Sequence, residues 1–302
     1  MGLAPACGSR NPVCLTSALT STTPSPMTMA CNIRPYLSLL LTLLPGRAAA
    51  QIPADLARWR SEFATWLAVA PTSPYAVVAI RPLGPGLTIG GADADLPLPG
   101  VNPGRLLRTQ AGVVLQTSGG SKAIPRRQPA AIDGYGLLQA GPDRRTVIVA
   151  YGTVTGYHPP TYFPYDPTLV MRVTLEPPDR HGDLLVTGVD GLEIEAREAG
   201  LVSVTVAGVP ARLRAYRLGS PEDEEAELAI YFRDGNSGHG SYPAGRFVEL
   251  LPGNDGALVL DFNRARNPFC AYSPALPCPA PWPGNRLTAP VTAGERYAVP
   301  PP

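Results

Sequence analysis

The sequence predicts a mainly β protein: a sandwich or barrel of many short antiparallel strands, with one amphipathic helix near its N-terminal end. Three observations predict it. Beyond Thr72 the chain breaks into short apolar runs punctuated by Gly, Pro, Asn and Asp, in a sequence holding 31 glycines and 37 prolines. Several of these runs alternate with a period of two, as Val202, Val204 and Val206 do. Only the stretch 54–69 repeats its apolar residues at helical spacing.

The first fifty residues carry Arg10, Arg34 and Arg47 and no acid. Arg34, an apolar run from Tyr36 to Leu44 and the small residues Ala48, Ala49 and Ala50 follow in the order of a secretory signal peptide. Cleavage is expected near Ala50, leaving Gln51 at the mature N-terminus and sending the protein to the periplasm or the exterior. An uncleaved anchor is the rival reading, but a bilayer-spanning helix needs roughly 20 apolar residues, far more than this run supplies. No stable membrane span is therefore expected after cleavage. Residues 1–26, rich in Ser, Thr and Pro and without a period, read as the product of an upstream start codon.

The helix is expected over Ala54 to Val69. Leu56, Trp59, Phe63, Trp66 and Leu67 fall on one face, with Arg58, Arg60 and Glu62 opposite, and Pro53 and Pro71 bound it. Strands are expected at 76–81, 112–116, 146–150, 169–175, 183–187, 192–196, 201–207, 211–218, 227–233, 246–250 and 257–262. The joint Val206-Ala207-Gly208-Val209 suits a hairpin turn. Three segments result: a leader at 1–50, a helix with a small β module at 51–155, and a β domain at 156–302 that ends in a proline-rich loop. The acidic run Glu222 to Glu225 reads as a solvated loop.

Removing residues 1–50 takes away three arginines and no acid, so 22 basic and 24 acidic side chains remain and the net charge is −2. A nucleic-acid partner usually demands a basic face, so none is expected. Lys122 is the only lysine, which fits a GC-rich coding sequence. Two of the five cysteines, Cys270 and Cys278, survive cleavage. In an exported chain an even pair eight apart reads first as a disulfide, with unpaired structural thiols and metal ligation as alternatives. Closing so short a loop contributes about 2.5 kcal/mol in the chain-entropy model. It would staple a segment that Pro268, Pro274, Pro277, Pro279, Pro281 and Pro283 deprive of ladder donors. No metal is expected: the pair has no nearby histidines, and His158, His181 and His239 are scattered. No phosphate-loop or dinucleotide glycine motif appears, so no cofactor is expected.

The densest chemistry lies late in the chain. Three motifs crowd together: F-R-D-G-N-S-G-H-G-S-Y-P-A-G-R from Phe232, L-D-F-N-R-A-R-N-P-F-C from Leu260, and C-P-A-P-W-P-G-N-R-L from Cys278, with Ala293-Gly294-Glu295 following. Upstream stand Tyr162-Phe163-Pro164 and Asp166-Pro167, and earlier still a glycine-bounded turn from Gly84 to Gly90. This pattern resembles the domain of unknown function 1684 family over roughly Ala54 to Tyr297. Asn236, Arg266, Phe269 and Gly284 depart from it, where Thr, Tyr, a second Pro and Glu are usual. The resemblance implies a fold neighbourhood and no mechanism.

Polar residues are costly to bury unless they are paired, so these motifs imply a specific network. One reading places Arg233, Arg246 and Arg286 around a small anionic group, since guanidinium forks grip carboxylates and phosphates. Asp234, Asp261 and Asn285 would then orient the arginines and Tyr242 would cap the site. Ser237 extends the turn, and Asn263 shares a face with Asp261. In the alternative, the same residues pair with one another as a buried clasp that anchors the proline-rich loop. A hydrolase using Asp234 and Asp261 is a third reading, and a structural envelope protein a fourth. Ser237, His239 and Asp234 lie in one tight turn, which seldom lets a histidine bridge the other two as a triad requires.

Overall fold

The structure is a computed structural model that describes residues 50–219, 226–253 and 256–297. The expected leader and the acidic run Glu222 to Glu225 lie outside the described residues. The helix α1 spans Ala54–Val69. It stops where Pro71 forces the preceding Ala70 into extended backbone. Leu56 and Leu67 are buried, and Trp59, Phe63 and Trp66 stack along the helix with ring centroids 5.9 Å apart. This aromatic face packs on late residues, Phe63 against Tyr272 and Trp66 against Phe269. An ion pair from Asp55 to Arg264 at 2.6 Å adds to the same contact. No helix among the described residues is long and apolar enough to cross a membrane.

Nine strands follow: β1 (Val77–Pro82), β2 (Leu87–Gly90), β3 (Leu96–Pro97), β4 (Gly104–Thr109), β5 (Gly112–Thr117), β6 (Gly120–Ile124), β7 (Ala130–Ile132), β8 (Tyr135–Ala140) and β9 (Val147–Tyr151). They form two sheets, ordered β1-β9-β8-β7 and β3-β2-β4-β5-β6. Leu83, Ile89, Leu96, Leu106, Leu137 and Ile148 are among the side chains of one core that both sheets supply. Six of these strands, β2, β3, β4, β6, β7 and β8, were not expected from the sequence. They are short, and some are nearly bare of core residues: β6 buries only Ile124.

The motif-bearing half is one antiparallel sheet of seven strands. These are β10 (Val170–Val173), β11 (Asp183–Thr187), β12 (Glu193–Val206), β13 (Val209–Leu218), β14 (Glu227–Phe232), β15 (Arg246–Pro252) and β16 (Leu258–Asp261). Their order is β10-β16-β15-β14-β13-β12-β11, a meander with β10 added at the far edge. A bridge from Glu176 to Leu201 ties that edge back toward β12. The sheet nevertheless stays open, so the fold is sandwich-like with no barrel closure. Val202, Val204, Leu213, Ile230, Phe232, Leu260 and Phe262 form its main core.

The two strands expected at 192–196 and 201–207 are one. Gly200, with φ +151°, sits at a register shift between Glu198 and the glycine, so the chain bulges and continues. A side chain there would strike the Glu176 carbonyl, which the bridge brings in close. The β12–β13 hairpin turns at Ala207 and Gly208, with φ 48° and 79°, as a two-residue turn with both φ positive. Leu276 of the proline-rich loop packs on Val77 and Val149, joining that loop to the first sheet.

Candidate functional site

Arg246 opens β15 opposite Phe232, the last residue of β14, and its side chain is wholly buried. Nη2 donates to Asp234 Oδ2 at 2.7 Å and to the Val291 carbonyl at 2.9 Å. Nη1 donates to the carbonyls of Ala293 and Glu295. Burial lowers the pKa of the guanidinium and the Asp234 charge opposes that shift. Asp234 in turn accepts the Asn236 N–H at 2.6 Å through Oδ1, and its own N–H donates to Ser237 Oγ at 3.1 Å. One guanidinium thus binds the turn after β14 to the chain at 291–295.

The other candidate residues make three further clips. Asp261 Oδ1 accepts both the backbone and side-chain N–H groups of Asn263, at 2.9 Å each. Asn263 pairs with the backbone N–H and C=O of Asp166, again at 2.9 Å. Asn285 pairs with both backbone groups of Arg214, at 2.7 and 2.9 Å. That places its amide where the β13–β14 ladder, which runs only from Tyr216 to Leu218 on β13, has already stopped. Arg233 and Arg286 are joined through a backbone bridge, with Arg286 exposed and Arg233 half-buried. Arg246 is therefore inside while Arg286 is outside. His239 is exposed, and among the described residues no hydrogen bond links its ring to Ser237.

Cys270 and Cys278, expected as a disulfide, are free thiols in this structure. The Tyr242 hydroxyl lies between them, 3.2 Å from Cys270 Sγ and 3.4 Å from Cys278 Sγ, and bridges the sulfurs in place of a bond. Burial, and then the hydrogen bond with Cys278, push the Cys270 thiol up to about 12. Tyr242 also meets Tyr297 edge to face at 4.7 Å.

Beside this network opens a cleft of about 310 Å³, lined by Tyr75, His158, Pro159, Pro160, Thr161, Asn267, Ala271, Tyr272, Glu295, Arg296 and Tyr297. Glu295 is placed there by Gly294, whose φ is +75° and whose Cα passes so close to the 3-10 turn after β16 that a Cβ would lie 2.6 Å from the Phe262 and Ala265 carbonyls. The Glu295 carboxyl is buried. It accepts the Tyr272 hydroxyl at 2.6 and 2.7 Å and the Asn267 N–H at 2.8 Å. Among the described residues no cationic nitrogen lies within 4.0 Å of it, unlike Glu198, Asp234 and Asp261, which pair with Arg214, Arg246 and Arg264. Burial pushes the Glu295 carboxyl up to about 7, against the Tyr272 and Asn267 hydrogen bonds and the charge of Arg246. Asn267 is 2% exposed and its Oδ1 has no partner, as is true of the Tyr162 hydroxyl. Tyr75 closes one wall, 5.7 Å from the Tyr272 ring, with its hydroxyl held by the His158 backbone.

A larger groove, about 890 Å³, runs past Arg108, Asp143, Arg145 and Glu193. Its charges are exposed or paired, Arg145 with Glu193 and Arg108 with the Asp143 carbonyl and Thr146. The smaller cleft holds the buried, unpaired acid and is the better candidate site.

Residues 155–296 match the family model described as "Protein of unknown function (DUF1684)". The chain belongs to this family. It is also 35% identical to an uncharacterized protein of Haloarcula marismortui known from a solution NMR structure, over 46% of this chain and 77% of that one, with a TM-score of 0.37. No curated protein matches. The DUF1684 stretch supplies Asn267, Tyr272 and Glu295 to the cleft, whereas Tyr75 comes from outside it. Sequence reasoning passed over Glu295 even though the A-G-E triplet was visible. The available signal was a lone acid after a glycine in a late, otherwise apolar stretch.

Proposed function

We propose that the mature chain is an exported protein that binds a small polar ligand in the cleft at Glu295. One observation carries this reading: a buried carboxyl without a cationic partner and a buried, unpartnered Asn267 oxygen belong to residues that line one tyrosine-walled cleft. Convergent polar groups of perturbed pKa in a concave site are the usual mark of a binding or active site. The anionic version has less support, because Arg246 is wholly buried and its two terminal nitrogens are taken up by Asp234 and backbone carbonyls. Export rests on the order of Arg34, the apolar run and the alanines before Gln51. In the oxidising compartment that export implies, the Cys270 and Cys278 thiols would give two protons and two electrons to a disulfide oxidant and bond to each other. Intact mass of the secreted protein with and without reductant tests both ideas. The expected chain begins at Gln51 and gains two hydrogens on reduction.

A second reading, a hydrolase, rests on the same carboxyl. An acid near pKa 7 can exchange protons efficiently at neutral pH. Asp234 and Asp261 are less suited, being tied to Arg246 and Asn263. The test is a thermal-shift screen of the chain from Gln51 with amines, neutral polyols, carboxylates and phosphate. A ligand at 100 times its Kd stabilises by about 2.7 kcal/mol, a shift of several degrees for a domain this size. A shift abolished by Glu295→Gln is the expected result, and any such ligand then becomes a substrate to test for turnover. If no compound moves the midpoint, the cleft is not a small-molecule site and the network only holds the fold or an envelope partner.

A further inference from the structure

We infer that the ligand of this cleft is a small organic cation, an ammonium group that pairs with Glu295 and lies against the Tyr75 and Tyr272 rings. The inference rests on the reading of the cleft as a ligand site and adds the class of ligand. The donor and acceptor inventory points to it. Two acceptors stand just behind the inner wall, the buried Glu295 carboxylate and the unpartnered Asn267 Oδ1, and the Asn267 backbone N–H is already used on Glu295. A ligand reaching these two atoms must bring positive charge or a hydrogen-bond donor. Charge points the same way: the Arg246 cation is paired with Asp234 at 2.7 Å and offsets the burial of Glu295 only in part. Buried charges are ordinarily paired, and the missing partner here is a cation. Tyr75, Tyr272 and Tyr297 line the cleft, and tyrosine rings attract ammonium groups.

Tyr272, Tyr75 and Tyr162 face the carboxyl or its tyrosine partners, and burial raises the pKa of each above its ordinary value of 10; Tyr157 packs edge-on against Tyr75. Arg60 of α1 is stacked on Tyr162 at 4.1 Å, Arg296 on Phe163 at 5.3 Å, and Arg266 pairs with Glu227 and Glu249. His158 is an exposed rim residue. With the cleft empty, Glu295 holds a proton for much of the time near neutrality. Entry of a cation therefore displaces that proton to solvent, and cation and proton compete.

The experiment is calorimetric titration of the chain from Gln51, carried out in His158→Gln to remove the rim imidazole. The probes are choline and ethanolammonium, against dimethylbutanol (the uncharged carbon counterpart of choline), ethylene glycol and acetate. Choline is expected to bind and dimethylbutanol to bind at least tenfold more weakly. Choline affinity should be about tenfold higher at pH 8 than at pH 6, with proton release measured from two buffers of different ionisation heat. Tyr75→Leu should weaken choline about threefold, the scale of one cation–π contact. Glu295→Gln should abolish the pH dependence, and the wild-type pH profile decides the matter if that variant does not fold. Equal binding of choline and dimethylbutanol, or binding of ethylene glycol or acetate alone, overturns the cation while the cleft remains a ligand site. Binding of none of the five overturns both.

Discussion

Arg246 and Glu295 are two deeply buried ionisable groups of one network, and they are handled in opposite ways. Arg246 has an acid against it and three carbonyls around it, so its charge is answered from within the protein. Glu295 lies next door, its backbone carbonyl touching Arg246, yet its carboxyl has only neutral donors. A buried charge that is answered internally costs little and holds structure together. One that is left unanswered and opens to a cleft shifts its pKa instead and stays available for chemistry. Burial does not separate the two cases, but pairing does.

The largest way to break this comparison is to remove the answered charge. Arg246→Ala should cost about 3–5 kcal/mol, because Asp234 would be left buried and alone. Asp234→Asn added to it should cost much less than its own single effect, since the pair acts as a unit. Chemical denaturation of the four proteins measures both. A loss below about 1 kcal/mol in Arg246→Ala would show that the charge was not the fastening. Gly294→Ala should come close behind, since two carbonyls 2.6 Å from the new Cβ and a φ of +75° leave it no relaxed position. A melt of that variant is expected to fall by several degrees.

The unanswered charge predicts a pH dependence with a definite sign. The folded-state pKa of Glu295 is raised to about 7 from an ordinary 4.5. Between these values the folded state binds more protons than the unfolded chain, so stability falls as pH rises. The contribution is fully present below about pH 4.5 and is lost progressively through pH 7, on the order of 3 kcal/mol in total. Midpoints measured from pH 4.5 to 8 in wild type and Glu295→Gln should diverge with this slope. A Gln variant with the same profile as wild type would assign the slope to other groups.

How much of this could be read in the sequence follows from how local each feature is. The helix was legible because its aromatic spacing and its bounding prolines are local, and the strands from β11 to β16 because alternation is local too. The short N-terminal strands were not, since runs such as Gly120–Ile124 carry one core residue each and are fixed by their neighbours. Gly200 read as a break because a bulge and a turn look alike until the partner strand is known. At the site, polar crowding picked out Asp234, Arg246, Asp261, Asn263 and Asn285, all of which are buried. Which arginine lies inside was not legible, because depth is a tertiary property. Nor was Glu295, whose pKa depends on Tyr272 and on the residues packed around it, with Tyr75 completing the cleft from the far end of the chain.

The smallest effect sharpens the comparison most economically. Arg286 stands beside Arg233 in the backbone bridge, and one sequence reading grouped it with Arg246 around a single anion. Its side chain is exposed and it appears in no ion pair among the described residues. An exposed side chain away from caps, cavities and paired charges changes stability by no more than about 0.5 kcal/mol. Arg286→Ala should therefore leave the denaturation midpoint within that range, while Arg246→Ala, the same chemical deletion, costs several kcal/mol. If the two losses were comparable, the arginines would share a load that their geometry keeps separate, and the anion-centred grouping would have to be restored. If Arg286→Ala is silent in stability and in choline titration alike, the distinction between answered and unanswered charge accounts for this network without it.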